Sequence, residues 1–338
     1  MFDQKDDHKK RGLTRRELLI GTLAGGVVGA AGSVLYLGSQ KKTAETFIAA
    51  ASHYQIDIAS VLLRGFKELG VTDRDVRDKS VLLKPNLVEV FPGAGHINTH
   101  PLVVRGAIEA FLSLGAARVL VGEGPGHGLD ALYALEESGM SDVLYEDRIP
   151  FVDLNNDASF TLTNKAGFTR LASLSFSSAL AEADLIVSLA KMKTHHWAGV
   201  TLSMKNMFGT MPGIAYGWPK NVLHVEGIGR SIVDINATLR PHFAIVDGIL
   251  GMEGDGPIMG TPKQAGVLVM GKNLLAVDAT CARVMGIDPR MVDYLKVASS
   301  LLGPIDQDLI EQRGELIADM HTDFALKEEI PAHRRLRV

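Results

Sequence analysis

Apolar positions along this chain switch repeatedly between a helical spacing and short continuous runs. Ile56, Ile58, Ala59, Leu62, Leu63, Phe66 and Leu69 share one helical face, and Gly70 stops it. The run from Ser80 to Asn86 reads as a strand closed at Pro85, because proline cannot continue a central ladder. A glycine-rich loop from Phe91 to Ile97 follows, and Pro101 opens a helix reaching about Leu114. A second strand begins at Ala117, passes into a glycine loop near Gly126, and gives way to a helix from Leu129 to Gly139. Strand, loop and helix have then occurred twice, which is the grammar of a parallel α/β sheet.

The stretch from Ile149 to Thr169 mixes apolar pairs with Asn, Asp and Thr and reads as an irregular insertion of short strands. Leu185 to Leu189 is apolar throughout, as expected of a strand buried on both faces. A helix over Gly227–Leu239 carries Asp234, strands are expected at Phe243–Asp247 and Gly266–Met270, and a helix from Leu274 to Met285 carries Asp278. From Asp306 onward the pattern supports a short strand or two. The expected fold class is α/β, with an open, mainly parallel sheet flanked by helices and a smaller inserted lobe. It occupies residues 43–338, with its core over 80–290.

The first 42 residues follow a different pattern. Lys5, Lys9, Lys10, Arg11, Arg15 and Arg16 precede an apolar, Gly- and Ala-rich run from Leu18 to Gly38. The paired arginines in Thr14-Arg-Arg-Glu-Leu-Leu19 match a twin-arginine export signal, implying the Tat machinery as partner and an extracytoplasmic, periplasmic location. An uncleaved leader would act as a membrane tether through residues 18–38, since about 20 apolar residues can span a bilayer. The first small-x-small cleavage candidate is Ala49-Ala-Ala51.

Composition narrows the function. The chain has 338 residues, 46% hydrophobic and 22% charged, with a formal charge of -4. Near-neutral charge argues against nucleic acid as a partner, since phosphate backbones demand a broad basic face. Cys281 is the sole cysteine, which leaves no internal disulfide and no cysteine-ligated zinc or iron–sulfur cluster, and its apolar helix face reads as inert core.

The charge is nonetheless unevenly placed. Lys191-Met-Lys-Thr-His-His196 follows the buried strand directly, Lys205-Asn206 comes soon after, and no Asp or Glu occurs between Lys191 and Lys220. A strand leading into an acid-free basic segment is how open α/β sheets build anion sites at their carboxyl edge. A basic solvated loop is the plain alternative. Asn86, Glu123, Lys191 and Asp247 each follow an apolar run, so a parallel sheet would collect them on one edge. Asp247, Glu253 and Asp278 are the oxygen donors that could hold Mg²⁺ or Ca²⁺, although each alone also suits a turn or helix cap. Gly122-Glu-Gly-Pro-Gly-His-Gly128 lacks the spacing of a dinucleotide fingerprint. No Gly-x-Ser-x-Gly elbow supports serine hydrolysis. Of His195, His196 and His224, His195 is the preferred proton-transfer group, since imidazole titrates near working pH.

Lys191-Met-Lys-Thr-His195 and Val200-Thr-Leu-Ser-Met-Lys-Asn-Met-Phe-Gly209 resemble the central signature of the DUF362 family. Leu83-Lys-Pro-Asn86, Asn98-Thr-His-Pro101, Asp247-Gly248, Glu253-Gly-Asp-Gly-Pro257 and Ala276-Val-Asp278 fit the same pattern. The resemblance covers about residues 80–290 and implies a fold and a site map rather than a reaction. The cysteine-rich iron–sulfur segments of some relatives are absent. The expectation is an exported enzyme acting on a small anionic, phosphate- or carboxylate-bearing substrate. Lys84, Asn86, Lys191, Lys205 and Asn206 would bind it; His195, Glu123 and Lys193 would do the chemistry; Asp247, Glu253 and Asp278 would hold a metal. The competing expectation is a non-catalytic solute- or cofactor-binding protein, or an accessory factor serving a membrane redox system.

Overall fold

The computed structural model describes residues 43–126 and 128–337. The twin-arginine segment, its apolar run and the tether expected over 18–38 lie outside the described residues. Among the described residues no helix is long and apolar enough to cross a membrane.

Eleven strands are present among them. They are β1 (Ala44–Ala50), β2 (Ser80–Pro85), β3 (Arg118–Glu123), β4 (Phe151–Asp153), β5 (Ser159–Thr163), β6 (Ser173–Ser177), β7 (Leu185–His195), β8 (Gly199–Thr201), β9 (Phe243–Glu253), β10 (Thr261–Gly271) and β11 (Ile310–Gly314). Nine form one sheet in the order β11-β1-β10-β9-β7-β2-β3-β4, with β8 attached to β7. The run from β9 through β7, β2 and β3 to β4 is parallel. β10 joins antiparallel to both β9 and β1, and β11 pairs parallel with β1. The expected α/β class and mainly parallel sheet are present, extended by a mixed edge.

Alternation of side chains along each strand feeds two cores, one per face. Val81, Leu83, Val187, Leu189 and Ile245 pack against α1 (Ile58–Glu68) and α2 (Pro101–Ser113). Leu82, Ile186, Val246 and Val269 face α3 (Ile228–Leu239) and α4 (Leu274–Val284). Asp57 caps α1 by accepting from the Ser60 N–H, and Pro101 supplies the first turn of α2. The inserted lobe is smaller than the sequence pattern suggests. β4 belongs to the main sheet, and only the β5–β6 ribbon stands outside it. Buried Asp234 on α3 ties the ribbon's turn down, accepting from the N–H groups of Phe168 and Thr169 and from the Asn164 side chain.

Two expectations change. β1 was not anticipated, and Ala49 and Ala50 of the cleavage candidate lie within it, paired with Leu268 and Val267. Cutting after Ala51 would remove a strand that separates β10 from β11. β7 and β9 also run further than their apolar cores, to His195 and Glu253. Lys191 and Asp247 therefore face each other within the ladder instead of lying just past strand ends.

Candidate functional site

The basic segment divides according to strand alternation and the turn that follows. Lys191 is fully buried, and its ammonium lies 2.9 Å from Asp247 Oδ2 and 2.9 Å from the Tyr54 hydroxyl. Tyr54 donates to Asp247 in turn, and the His100 ring stacks on it with centroids 3.7 Å apart. The Asp247 carboxylate also accepts from the His100 backbone N–H. Burial lowers the Lys191 pKa while Asp247 pulls it back up. Burial and then the neighbouring Asp247 charge push the Tyr54 phenol far above its ordinary value. These residues hold one another, and none of them lines the cavity beside the ends of β2, β3 and β7.

Lys193, expected to be catalytic, is also sealed in. Its Nζ donates to the carbonyls of Ile97 and Pro257, at 2.8 and 3.1 Å, and so ties two loops together. Burial, reinforced by Lys191 and Lys205, holds its pKa well below the ordinary value.

The open part of the site is a cavity of about 330 Å³ beside the ends of β2, β3 and β7. Lys84 Nζ lies 2.6 Å from Glu123 Oε2 and 3.0 Å from Asn206 Oδ1. Glu123 also accepts from the N–H groups of Leu87 and Gly124. Held by these three bonds, it is the fixed partner of Lys84. Gly209 closes over this pair, and a Cβ there would overlap the Glu123 carboxylate and the Lys84 ammonium. Asn206 locks the floor by donating to the Lys84 carbonyl and the Ser188 hydroxyl. The Asn86 amide donates to Asn206, but its Oδ1 is buried without a partner.

Lys205 lies over the Phe208 ring, 4.3 Å from its centroid, and its ammonium has no oxygen partner among the described residues. Burial, then the Lys84 charge, brings its pKa down to about 8. Lys220 has a left-handed backbone (φ 66°) and donates to Asn155 Oδ1 at 2.7 Å and to the Met211 and Gly124 carbonyls. Burial brings it to about 7. His195 Nδ1 accepts from the N–H groups of Trp197 and Ala198, which assigns the neutral ring's proton to Nε2. Burial, then nearby Lys205, depresses its pKa well below the ordinary value.

The three acids expected to bind metal do not converge. Asp247 is taken by Lys191 and Tyr54. Glu253 accepts from the Ala325 N–H and lies 3.5 Å from Lys263. Asp278 accepts from the Ser203 and Met204 N–H groups and the Ser203 hydroxyl, capping the short helix Ser203–Asn206 that presents Lys205 and Asn206. Among the described residues, no group of three or more His, Cys, Asp or Glu could hold a metal ion.

Of the expected residues, the structure thus brings together Lys84, Asn86, Glu123, His195, Lys205 and Asn206 around one cavity. Lys191, Lys193, Asp247, Glu253 and Asp278 do not line it. Lys220 was missed as a site residue, although it marks the end of the acid-free span. The sequence motifs are largely ties between chain segments: the Thr99 hydroxyl donates to the Leu189 carbonyl and accepts from the Asn86 N–H, and Asn98 Oδ1 accepts from Val88.

A thylakoid-associated protein of Synechocystis is 27% identical over 249 residues, covering 71% of this chain and 74% of that one. A lactate racemase apoprotein structure from Thermoanaerobacterium thermosaccharolyticum aligns at 14% identity with a TM-score of 0.42, covering 71% of this chain and 57% of that one. A Thermotoga maritima crystal structure aligns at 14% identity with a TM-score of 0.36, covering 75% of this chain and 61% of that one. The chain thus spans less than two thirds of either solved structure. The model of the domain of unknown function DUF362 matches residues 81–283, which include every residue placed around the cavity, and the chain belongs to that family.

Proposed function

We propose that the protein binds a small organic anion, carboxylate- or phosphate-bearing, in the cavity beside β2, β3 and β7, and acts on it by proton transfer. The observation that carries this reading is the Lys205 ammonium, held in the cavity wall without an oxygen partner and flanked by Lys84 and Lys220. Lys84 gives its three N–H groups to Glu123, Asn206 and the Pro85 carbonyl, and Lys220 gives its own to Asn155, Met211 and Gly124, so Lys205 supplies the donor that an anion can claim while the other two lysines add positive field. Asn86 Oδ1 supplies an acceptor for a hydroxyl on the same ligand.

For chemistry, Lys205 has the useful acidity, because a group titrating near 8 both gives and takes a proton at working pH. His195, neutral and protonated on Nε2, serves as a hydrogen-bond donor to developing negative charge. A second reading, binding without turnover, is favoured by the hydrogen bonds that tie Glu123 to Lys84, Leu87 and Gly124, which leave Asp255, beside His196, as the other carboxylate on the cavity. Incubating candidate anions with the protein in D₂O separates the two. Deuterium appearing on carbon, lost in Lys205→Met, supports the enzyme; tight binding without exchange supports the binder.

The leader is read as a twin-arginine export signal, and the thylakoid-associated name of the Synechocystis relative supports placement at a membrane. Processing would then occur before Thr43, because β1 starts at Ala44. Replacing Arg15 and Arg16 by Lys should abolish export, and amino-terminal sequencing of exported protein should give a start no later than Thr43. Export of the lysine variant would sink the route, and a start after Ala51 would sink the processing limit.

A further inference from the structure

The cavity changes character from floor to mouth. Its floor is made of the Lys84–Glu123 pair, Asn206, Lys205 and Lys220, whereas Trp197, Ile258 and Met259 complete its wall. Trp197 is 61% and Met259 76% exposed. Neighbouring stretches of chain expose further apolar side chains. Lys220 and His224 belong to a segment whose Val222 and Val225 are exposed, Val225 at 77%. Just before it, Trp218 packs against Gly213, next to exposed Ile214. A single exposed Trp or Met is ordinary, but Trp197 and Met259, both exposed and lining one cationic cavity together with Ile258, mark a binding surface. Trp197 is also held in place, its ring edge-on to His196 at 4.7 Å and to His224 at 5.5 Å.

A fully hydrophilic anion would use the floor and leave this mouth without a task. We propose that the ligand is an amphiphilic anion, with a carboxylate or phosphate head on Lys205, beside Lys84 and Lys220, and an apolar chain leaving over Trp197, Ile258 and Met259. The assignment rests on the anion-site reading above and adds to it the chemistry of the ligand's other end.

The test is calorimetric titration of the full chain with methyl phosphate, octyl phosphate and octanoate, all below their micelle concentrations. Each methylene buried against the wall strengthens binding about fourfold. Octyl phosphate should therefore bind at least about fifty times more tightly than methyl phosphate. Octanoate replaces the head at comparable chain length and shows which head the lysines prefer. Trp197→Ser and Met259→Ser, both at exposed positions, should weaken octyl phosphate about tenfold and leave methyl phosphate within twofold. Equal affinity for methyl and octyl phosphate would overturn the amphiphile while leaving the anion site intact. Binding of none of the three, or binding unaffected by Lys205→Met, would overturn both. Vesicles of phosphatidic acid in phosphatidylcholine distinguish a membrane source from a free one. Vesicle binding competed by octyl phosphate supports the proposal, whereas vesicle binding with no response to octyl phosphate contradicts it.

Discussion

Lys191 and Lys205 belong to one acid-free basic segment, and the fold gives them opposite fates. Lys191 sits inside the β7–β9 ladder, opposite Asp247 and beneath Tyr54, where its charge is neutralised and shut away from solvent. Lys205 sits on a short helix after the strand, against Phe208 and a cavity, with its charge unmatched. A buried ion pair held by further hydrogen bonds is a structural joint, whereas an ammonium without an oxygen partner beside a cavity is a reason for an anion to bind. Local absence of acids did not separate the two cases, because the partner of Lys191 arrives from β9.

Breaking the closed network should have the largest effect. Lys191→Ala or Asp247→Ala leaves an unpaired buried charge, which costs about 3–5 kcal/mol. At about 2 °C per kcal/mol for a chain of this size, Tm should fall by roughly 6–10 °C. Anion affinity per folded molecule should be nearly unchanged. Calorimetry and titration on the same sample would check both halves, and a stable variant that loses affinity would move the site to Lys191.

Asp278 gives the next largest effect. Burial raises its pKa to about 7, so the native state holds a proton there that the unfolded chain releases near 4. Native protein binds more protons across that window, and the stability owed to this group is lost as pH rises from about 4 to about 7. The shift is on the order of 4 kcal/mol. Urea unfolding at pH 5 and pH 7.5 should show this slope, and Asp278→Asn should flatten it. An unchanged slope in the variant would assign the titration elsewhere.

Lys205→Met tests the open network. Loss of one charge-assisted contact is worth about 1.5–3 kcal/mol, or roughly a ten- to hundredfold weaker anion. Stability should hold or rise, since an uncompensated charge leaves the protein. In the wild type, affinity should decline as pH rises through about 8, where Lys205 gives up its proton. Affinity that is flat to pH 9.5 would take Lys205 out of the site.

The smallest effect is expected at Glu253. It pairs at 3.5 Å with a partly exposed Lys263, so Glu253→Gln should change stability by no more than about 1 kcal/mol. Neither the variant nor added EDTA or Mg²⁺ should alter anion affinity by more than twofold, because the three expected metal-ligand acids serve separate partners. A Mg²⁺-dependent Kd would restore the metal reading.

Much of the fold could be read from periodicity. The strands at Ser80, Ala117, Leu185, Phe243 and Gly266 and the flanking helices are marked by apolar runs and by Pro101, Pro85 and Gly70. Periodicity was silent where a strand continues through buried polar residues. β7 reads as ending at Leu189 because Lys191 and Lys193 break the apolar run, yet tertiary partners satisfy both within the strand. β1 was hidden for another reason: Ala49-Ala-Ala51 has the small residues of a cleavage site, and its burial depends on β10 and β11, hundreds of residues away. At the site, the motifs located Lys84, Asn86, Glu123, His195, Lys205 and Asn206. Whether a motif residue lines the cavity or ties two segments together depends on which way its strand faces, and that requires the true strand length and register.

The most direct test of the contrast between the two lysines is a crystal grown in selenate, with anomalous scattering locating the anion. The predicted result is a selenium peak within hydrogen-bond distance of Lys205, on the side of the cavity shared with Lys84 and Lys220, and no peak at Lys191. An empty cavity at high selenate, or a peak at Lys191 with Asp247 displaced, would contradict the account.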